Sequence, residues 1–350
     1  MKYIKFFVLA LLASLFSKIC AADTDVLGAG SSLSANLMTE LSRQYRRGHD
    51  IDVSYKSVGS GEGVRRIAAR AVDFALTDIP LSDYEVGLLD AIEFPVFFTG
   101  IVPIVNLPGL EGKSLALDGS ILAQIYLGKT TRWSDPQIRA LNPGLNLPDE
   151  KISVYFRGDS SGTSYVFSRF LSDESRPWFE SLGVGSKLPW PNGEPVNGTA
   201  AMIAAVAATR GAIGYADFGD AARSGVAMVN LKTSGGRIAM PGPESFKNSV
   251  SNIRWDGTGC CVLPKGRSAA FEWPMIATTF ALLKRKAADT FDIKQTLDFF
   301  DWLLLTAAPH INTLNFVPVQ EKALLPQIRI LFGEIRDENG AAIFPVREVK

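Results

Sequence analysis

Three short turns rich in serine and glycine each stand between a segment that predicts a strand and a segment that predicts a helix. They are residues 28–32 (GAGSS), 59–63 (GSGEG) and 160–164 (SSGTS), called here the first, second and third turns. The start of a helix offers unpaired N–H groups with partial positive charge, and Ser or Thr adds hydroxyl donors. Because such turns meet at the carboxyl ends of the strands of an α/β sheet, this pattern predicts that the three turns lie together.

The rest of the chain alternates in the same way, which is typical of an α/β protein. The region from residue 234 to 265 is rich in Gly, Pro and Ser and predicts irregular structure. The predicted strands are 51–55, 73–77, 151–157 and 273–283, and the predicted helices are 35–47, 64–72, 120–126, 165–171, 200–208 and 289–307.

The N-terminus has the pattern of a cleavable secretion signal. Lys2 and Lys5 provide a basic start, residues 6–16 are apolar, and Cys20-Ala21-Ala22 is a cleavage site of small residues. The apolar run is too short to span a bilayer, and no later stretch approaches the length that a membrane helix needs. We therefore expect a signal peptide over residues 1–22 and no transmembrane segment in the mature chain.

The charge balance excludes two classes of partner. Removal of Lys2, Lys5 and Lys18 with the signal leaves 33 basic residues against 36 acidic ones. This composition has no basic excess that would attract nucleic acid or an anionic membrane. Any affinity for an anion must therefore come from local geometry.

Cysteine and histidine are too sparse for a transition-metal site. Only Cys260 and Cys261 remain after the predicted cleavage, and the two histidines, His49 and His310, form no cluster with them. Adjacent cysteines rarely pair because the ring that they close is strained. We expect two packed thiols, with a disulfide between them as the alternative, and neither a metal nor a cofactor.

Arg157 and Asp78 stand at the ends of predicted strands and suggest the chemistry of the site. A guanidinium binds two oxygens at once and stays charged when buried, although an ion pair with Asp159 is an equally good reading. A carboxylate only accepts hydrogen bonds, so Asp78 repels a fully ionised anion but suits one that keeps a proton. The pair predicts a pocket for protonated phosphate that rejects sulfate through repulsion.

Two rival functions remain open on the residues alone. Residues 158–162 (GDSSG) fit the G-x-S-x-G elbow of an α/β serine hydrolase, with Ser160 as nucleophile and His310 downstream. Asp289, Asp292 and Asp301 lie between them, in the chain order that such enzymes use. A secreted adhesion or scaffold protein is the other alternative, with residues 157–159 (RGD) as an exposed attachment tripeptide.

From residue 27 through at least residue 300 the sequence resembles the periplasmic phosphate-binding proteins of high-affinity phosphate ABC transporters. The similar stretches include GAG at 28–30, TDIPLS at 77–82, RGDSSGTS at 157–164, GAIGY at 211–215 and FFDW at 299–302. The resemblance implies a two-lobed α/β fold of the periplasmic-binding-protein type, with a ligand cleft and two crossings, near residues 98–104 and 273–280. Lobe I would comprise residues 23–98 and 274–350, and lobe II residues 99–273.

The same resemblance implies a function and a set of contacts. The chain would be a monomeric periplasmic receptor, not an enzyme, that captures inorganic phosphate and delivers it to a membrane permease. It would need no cofactor. The implied phosphate contacts are Ser32, Leu33, Ser60 and Asp78 from lobe I, and Arg157, Ser161, Gly162 and Thr163 from lobe II.

Two turns depart from the pattern of that family. The first turn has Ser32, Leu33 and Ser34 where the family usually has Thr, Phe and Pro; Ser32 keeps the hydroxyl, and Leu33 would contribute its backbone N–H. The second turn contains Glu62, a carboxylate near a helix start. That charge is favourable at a helix N-terminus if it points outward, and it would change affinity or ligand choice if it pointed inward.

Overall fold

The computed structural model describes residues 26–110, 112–233, 235–251, 254–255, 261–262, 272–319 and 324–344. The predicted signal peptide and Cys260 lie outside the described residues. The helices are α1 Ala35–His49, α2 Ser60–Ala68, α3 Asp83–Leu89, α4 Gly119–Tyr126, α5 Pro136–Leu141, α6 Gly162–Glu174, α7 Arg176–Ser181, α8 Thr199–Ala208, α9 Phe218–Ser224, α10 Pro243–Val250, α11 Thr290–Leu305, α12 Ala308–Thr313 and α13 Leu324–Phe332. The strands are β1 Val26–Gly30, β2 Val53–Ser57, β3 Phe74–Thr77, β4 Ala91–Asn106, β5 Ala116–Leu117, β6 Ser153–Arg157, β7 Glu194–Val196, β8 Ala212–Asp217, β9 Ala227–Met228, β10 Asn230–Lys232, β11 Ile238–Ala239, β12 Arg254–Trp255, β13 Cys261–Val262, β14 Ile276–Lys284 and β15 Val317–Pro318.

One large mixed sheet organises these elements, in the order β2-β1-β3-β14-β4-β8-β6-β7. Strands β2, β1 and β3 are parallel, as are β8, β6 and β7, whereas β14 runs antiparallel to β3 and β4 runs antiparallel to both β14 and β8. We call β2, β1, β3 and β14 with their helices the first half, and β8, β6 and β7 with theirs the second half. The predicted α/β class is confirmed.

Strand β4 joins the two halves. Fifteen of its sixteen residues are buried, so the strand is covered on both faces, which explains its nearly continuous apolar sequence. It pairs with β14 as far as Gly100 and with β8 from Ile101 onward. This change of partner lies within residues 98–104, where the first crossing was predicted.

Helix α1 shows why the periodic segments form helices. Its apolar residues recur at helical spacing, and these same residues, Leu37, Met38, Leu41 and Tyr45, are buried. The helix ends where Asp50 adopts the left-handed conformation, with φ of 55°. The prediction of a helix over 35–47 is confirmed, with two more residues at its end.

The other long helix of the first half, α11, supplies aromatic side chains to the core. Phe300 meets Phe74 of β3 and Phe94 of β4 edge to face, with ring centroids 5.1 and 5.3 Å apart. Such pairs add to the hydrophobic gain of burying the rings. The predicted helix over residues 289–307 is confirmed as Thr290–Leu305.

Three local predictions are wrong. The helix predicted over 64–72 is displaced by four residues and covers Ser60–Ala68. Residues 28–30 belong to β1, so the first turn begins at Ser31; a Cβ on Gly28 would lie 2.0 Å from the ring of Phe74, and this glycine serves strand packing. Within the segment predicted as irregular, Pro243–Val250 forms helix α10. Proline fits the first turn of a helix, and Phe246 is buried in the core, edge to face with Phe218 at 5.1 Å.

Among the described residues, no helix is long and apolar enough to cross a membrane. The same residues contain no group of three or more His, Cys, Asp or Glu side chains that could hold a metal ion.

Candidate functional site

The three turns meet between the two halves of the sheet. From the end of β6, just before the third turn, Arg157 Nη2 donates to Ser32 Oγ of the first turn at 3.1 Å. From the second turn to the third, the N–H of Gly61 donates to the carbonyl oxygen of Ser160 at 3.4 Å. We call this meeting point the junction. Each turn lies where a strand passes into a helix, and residues 60–63 and 162–164 already belong to the helices α2 and α6. The sequence predicted the contact between the turns from this strand-to-helix arrangement.

Asp78 follows β3 and places a buried carboxylate at the junction. Its Oδ1 accepts from the hydroxyl of Thr279 at 2.6 Å, and its Oδ2 accepts from Ser31 and, at 3.4 Å, from Ser60. Burial raises the pKa of Asp78, and these hydroxyls oppose that rise. The first half therefore contributes a hydrogen-bond acceptor that is fixed on both oxygens.

Two residues that hold Asp78 were not predicted. Ser31 stands next to the predicted contact Ser32, and the only signal for it was its place in the first turn. Thr279 lies in the middle of β14, more than 200 residues from Asp78 along the chain, and the antiparallel pairing of β14 with β3 brings it there. Sequence periodicity finds such a strand but not the register that aims its side chains.

The other predicted residues of the first half lie as follows. Ser60 is the first residue of α2 and is buried, and its Oγ also accepts the N–H of Asp78 at 3.3 Å. Ser32 is half-buried and bonds with Arg157. The side chain of Leu33 packs into the hydrophobic core, so its backbone is the part that can face a ligand.

Arg157 ends β6 and provides the cation of the junction; it is only 2% exposed. Its Nε and Nη2 donate to the two oxygens of Asp159 at 2.7 and 2.5 Å. Burial opposes ionisation of Asp159, but the guanidinium holds the pKa of that carboxyl below its ordinary value. The ion pair with Asp159 and a contact with a ligand at the junction are therefore compatible interpretations of Arg157, because Nη2 reaches Ser32 of the first turn while the ion pair is intact. Its burial excludes an exposed attachment tripeptide.

Helix α6 begins at the junction with Ser161 as its N-cap. The Oγ of Ser161 accepts the N–H of Ser164 at 3.3 Å. The N–H groups of Gly162 and Thr163 lie in the first turn of the helix, where no intrahelical acceptor exists. A Cβ on Gly162 would lie 2.3 Å from the Cβ of Asp78, so these donors stand directly against the acceptor of the first half.

A fourth turn, which the sequence did not predict as part of the site, also reaches the junction. The N–H of Gly198 donates to Asp159 Oδ1 at 3.3 Å, and Thr199 Oγ1 lies 3.3 Å from Ser32 Oγ. Thr199 begins α8, a helix of small residues. The only sign of this turn in the sequence was the pair Gly198-Thr199 at the start of the helix.

Glu62 does not add a carboxylate to the junction. It is partly exposed and bonds with Arg65 and Arg66, three and four residues along its own helix. The hydrogen bonds from Arg66 and Arg65 lower the pKa of Glu62. Although the second turn departs from the family pattern at Glu62, ion pairs within α2 hold this carboxylate away from the junction.

The geometry does not assemble a serine hydrolase. Ser160 Oγ shares a hydrogen bond with Ser186 Oγ at 3.0 Å and makes none with His310, whose ring stacks beside Trp302 with centroids 6.5 Å apart. Among the described residues, Ser160 is not one of the non-glycine positions with positive φ. It therefore lacks both the base and the strained backbone of a nucleophile elbow.

Comparisons with known proteins agree with this architecture. The family model of the PBP superfamily domain matches residues 20–304. The phosphate-binding protein PstS of Pasteurella multocida is 33% identical over 338 residues, covering 96% of this chain and 98% of the relative. That of Xylella fastidiosa strain 9a5c is 34% identical over 295 residues, covering 84% and 81%.

The fold is also similar to that of solved structures. A high affinity periplasmic phosphate-binding protein (PfluDING), solved with bound phosphate, has a TM-score of 0.69 and 19% identity, covering 87% of this chain and 93% of that one. This similarity confirms the predicted fold of the periplasmic-binding-protein type. The chain belongs to the PBP superfamily and, within it, to the family of the phosphate-binding proteins named PstS.

Proposed function

We propose that this protein is an extracytoplasmic receptor that binds inorganic phosphate at the junction and delivers it to an ABC-type phosphate permease. The names of its relatives support this proposal, and so does the chemistry of the junction. It contains a buried guanidinium, a buried carboxylate and several neutral donors within contact of one another.

One observation carries the proposal: a buried donor, Arg157, and a buried acceptor, Asp78, face the same place from opposite halves. Hydrogen phosphate has oxygens that accept from the guanidinium, hydroxyls and N–H groups, and it has a proton to donate to Asp78. Sulfate has only acceptors at neutral pH, so the carboxylate repels it. The neutral dipoles disperse the charge of the anion without a second cation.

The proposed contacts come equally from both halves. Because one small anion touches both halves, it stabilises the arrangement in which they meet, and its release requires them to separate by hinge motion. We place the lobes at residues 23–98 with 274–350 and at residues 99–273. The contacts are Ser32, the backbone of Leu33, Ser60 and Asp78 on one side, and Arg157, Ser161, Gly162 and Thr163 on the other.

The cellular setting follows from the N-terminal pattern. A cleavable signal over residues 1–22 would send the mature chain across the inner membrane into the periplasm, where a permease receives the ligand. We propose that the mature receptor acts as a monomer and catalyses no reaction. The periplasmic phosphate-binding protein of similar fold supports this setting.

Titration calorimetry on the mature chain tests the proposal. We expect one phosphate per chain, with sulfate at equal ionic strength giving no comparable heat. A parallel assay measures hydrolysis of simple esters and labelling of Ser160 by a phosphonylating probe, and both should be negative. The absence of phosphate binding, or turnover with labelled Ser160, would overturn the proposal.

A further inference from the structure

We propose that Thr199 is a positioning residue that fixes the hydroxyl of Ser32 for phosphate; this inference rests on the function proposed above. Thr199 is 2% exposed, and its Oγ1 lies 3.3 Å from Ser32 Oγ. The two residues are 167 positions apart and belong to opposite halves. No predicted contact of the site comes from helix α8.

The hydrogen-bonding capacity of the Ser32 hydroxyl indicates that Thr199 is the donor in the bond between them. A serine hydroxyl has one proton and two lone pairs. Arg157 can only donate, so its Nη2, 3.1 Å away, occupies one lone pair of Ser32 Oγ. If Thr199 donates into the other, both lone pairs are filled and the proton of Ser32 is left for the ligand. A charged acceptor favours that arrangement, because charge-assisted hydrogen bonds are the stronger ones.

The residue before Thr199 links the same turn to the cation. Gly198, with φ of 80°, donates its N–H to Asp159 Oδ1 at 3.3 Å. The same oxygen accepts from Arg157 Nε at 2.7 Å. The start of α8 therefore holds the Arg157 guanidinium through Asp159 and the Ser32 hydroxyl through Thr199. The guanidinium and this hydroxyl are themselves hydrogen-bonded.

Because Thr199 and Ser32 belong to different halves, their bond exists only when the halves are together. The bond thus stabilises the closed arrangement and also orients the Ser32 hydroxyl that donates to the ligand. We expect its loss to weaken phosphate binding mainly through faster dissociation, since the encounter of the anion with the open site does not depend on it.

Two substitutions at this position separate the hydroxyl from the shape of the side chain. Thr199→Val keeps the volume and removes the hydroxyl; we expect phosphate affinity about three- to tenfold weaker by calorimetry. Thr199→Ser keeps the hydroxyl, and we expect affinity within about twofold of the wild type. Equal affinity in the valine variant, or an equal loss in both variants, would overturn the inference.

The wild-type titration separates this inference from the function on which it rests. If the wild type does not bind phosphate, the proposed function fails. If the wild type binds and Thr199→Val binds equally well, only the role of Thr199 fails.

A double-mutant cycle distinguishes positioning from general structural support. If Thr199 acts through Ser32, the valine substitution changes affinity little in a Ser32→Ala background. Additive losses would overturn the inference. Thr296→Val is a matched control, because Thr296 is a buried threonine on α11 whose hydroxyl donates to the Asp292 carbonyl at 2.9 Å. It should leave phosphate affinity unchanged, and an equal loss there would also overturn the inference.

Discussion

The end of β3 and the end of β8 each bury one carboxylate, but the two carboxylates have different partners. Asp78 accepts hydrogen bonds from three hydroxyls, which hold both of its oxygens. Asp217 caps helix α9 through Oδ1, which accepts the N–H of Asp220 at 2.9 Å, while its Oδ2 has no hydrogen-bond partner among the described residues. Burial raises the pKa of both groups, to about 7 for Asp217.

This difference shows that hydroxyl donors hold both oxygens of one buried strand-end carboxylate at the junction, whereas the other carboxylate serves as a helix cap. Among the residues that the structure describes, the first half gives the junction an acceptor, Asp78, and no cation. The second half gives it Arg157 and the N–H groups at the start of α6, and uses Asp217 to cap a helix. The two halves are built from the same strand–turn–helix units, but the buried carboxylate of the junction comes from one half and its buried guanidinium from the other.

The largest expected effect concerns Asp217. Its folded pKa of about 7 lies above that of an unfolded aspartate, so between about pH 4 and pH 7 the folded protein holds a proton that the unfolded chain has lost. The free energy of unfolding therefore falls as the pH rises through that range. Asp217→Asn removes this dependence and keeps Oδ1 as the cap. We expect the variant to be more stable than the wild type at pH 8 by roughly 4 kcal/mol, with little difference at pH 4.

Thermal melts of both proteins without ligand measure this effect. Asp173→Asn, which removes an exposed carboxylate from α6, is the control for the loss of one charge. A stability difference that does not vary with pH would contradict the assignment.

On the donor side of the junction, Arg157→Ala should lower phosphate affinity by at least ~1.5–3 kcal/mol, because it removes a charge-assisted hydrogen bond and leaves the Asp159 carboxylate without its cation. Arg157→Lys keeps the charge but cannot reproduce the two parallel bonds of the guanidinium. We therefore expect it to lower phosphate affinity by less than the alanine variant does. Calorimetry measures both, and an unchanged titration for the alanine variant would count against the site.

On the acceptor side, Asp78→Asn replaces a carboxylate by an amide that can donate. We expect the preference for phosphate over sulfate to fall by about tenfold, because the repulsion of a fully ionised anion is gone. Competition between the two anions in calorimetry gives the ratio directly. A ratio equal to that of the wild type would show that selectivity does not depend on this carboxylate.

The smallest expected effect concerns a hydrogen bond that joins the two halves away from the proposed phosphate contacts. Asn36 on α1 donates to Asp220 on α9 at 2.7 Å. Asn36→Ala should weaken phosphate binding by about 0.5–1.5 kcal/mol, mainly through faster dissociation in stopped-flow measurements. Gln44→Ala is the control, since Gln44 makes a bond of the same length to Glu40 within α1. Equal rates in both variants would exclude a role of Asn36 in holding the halves together.

The parts of the site that could be predicted are those with a local signal. The strand–turn–helix pattern was enough to bring the three turns together, and Arg157 with Asp159 could be recognised as a pair because they are two residues apart. Ser31, Thr279 and Thr199 could not be found this way. Their partners are 47 to 201 positions away, and tertiary packing decides which side chains meet.

The fold shows the same limit. Long periodic segments such as α1 and α11 were predicted, but the short helices α3, α5 and α9 were not. Each has six or seven residues and is stabilised by a capping side chain, Ser82, Asp135 or Asp217 respectively. A single cap and a few packed residues leave no periodicity in the sequence.

Gly162 is one of the positions where the absence of a side chain lets the two halves approach closely. A methyl group at this position would stand 2.3 Å from the Cβ of Asp78, a separation that real atoms do not reach. Gly162→Ala would then act as a spacer: each half would keep its own core while the gap between them widened. Such a variant would hold the two halves partly separated even with phosphate bound. It could therefore be used to test whether a permease recognises the closed arrangement or the bound ligand.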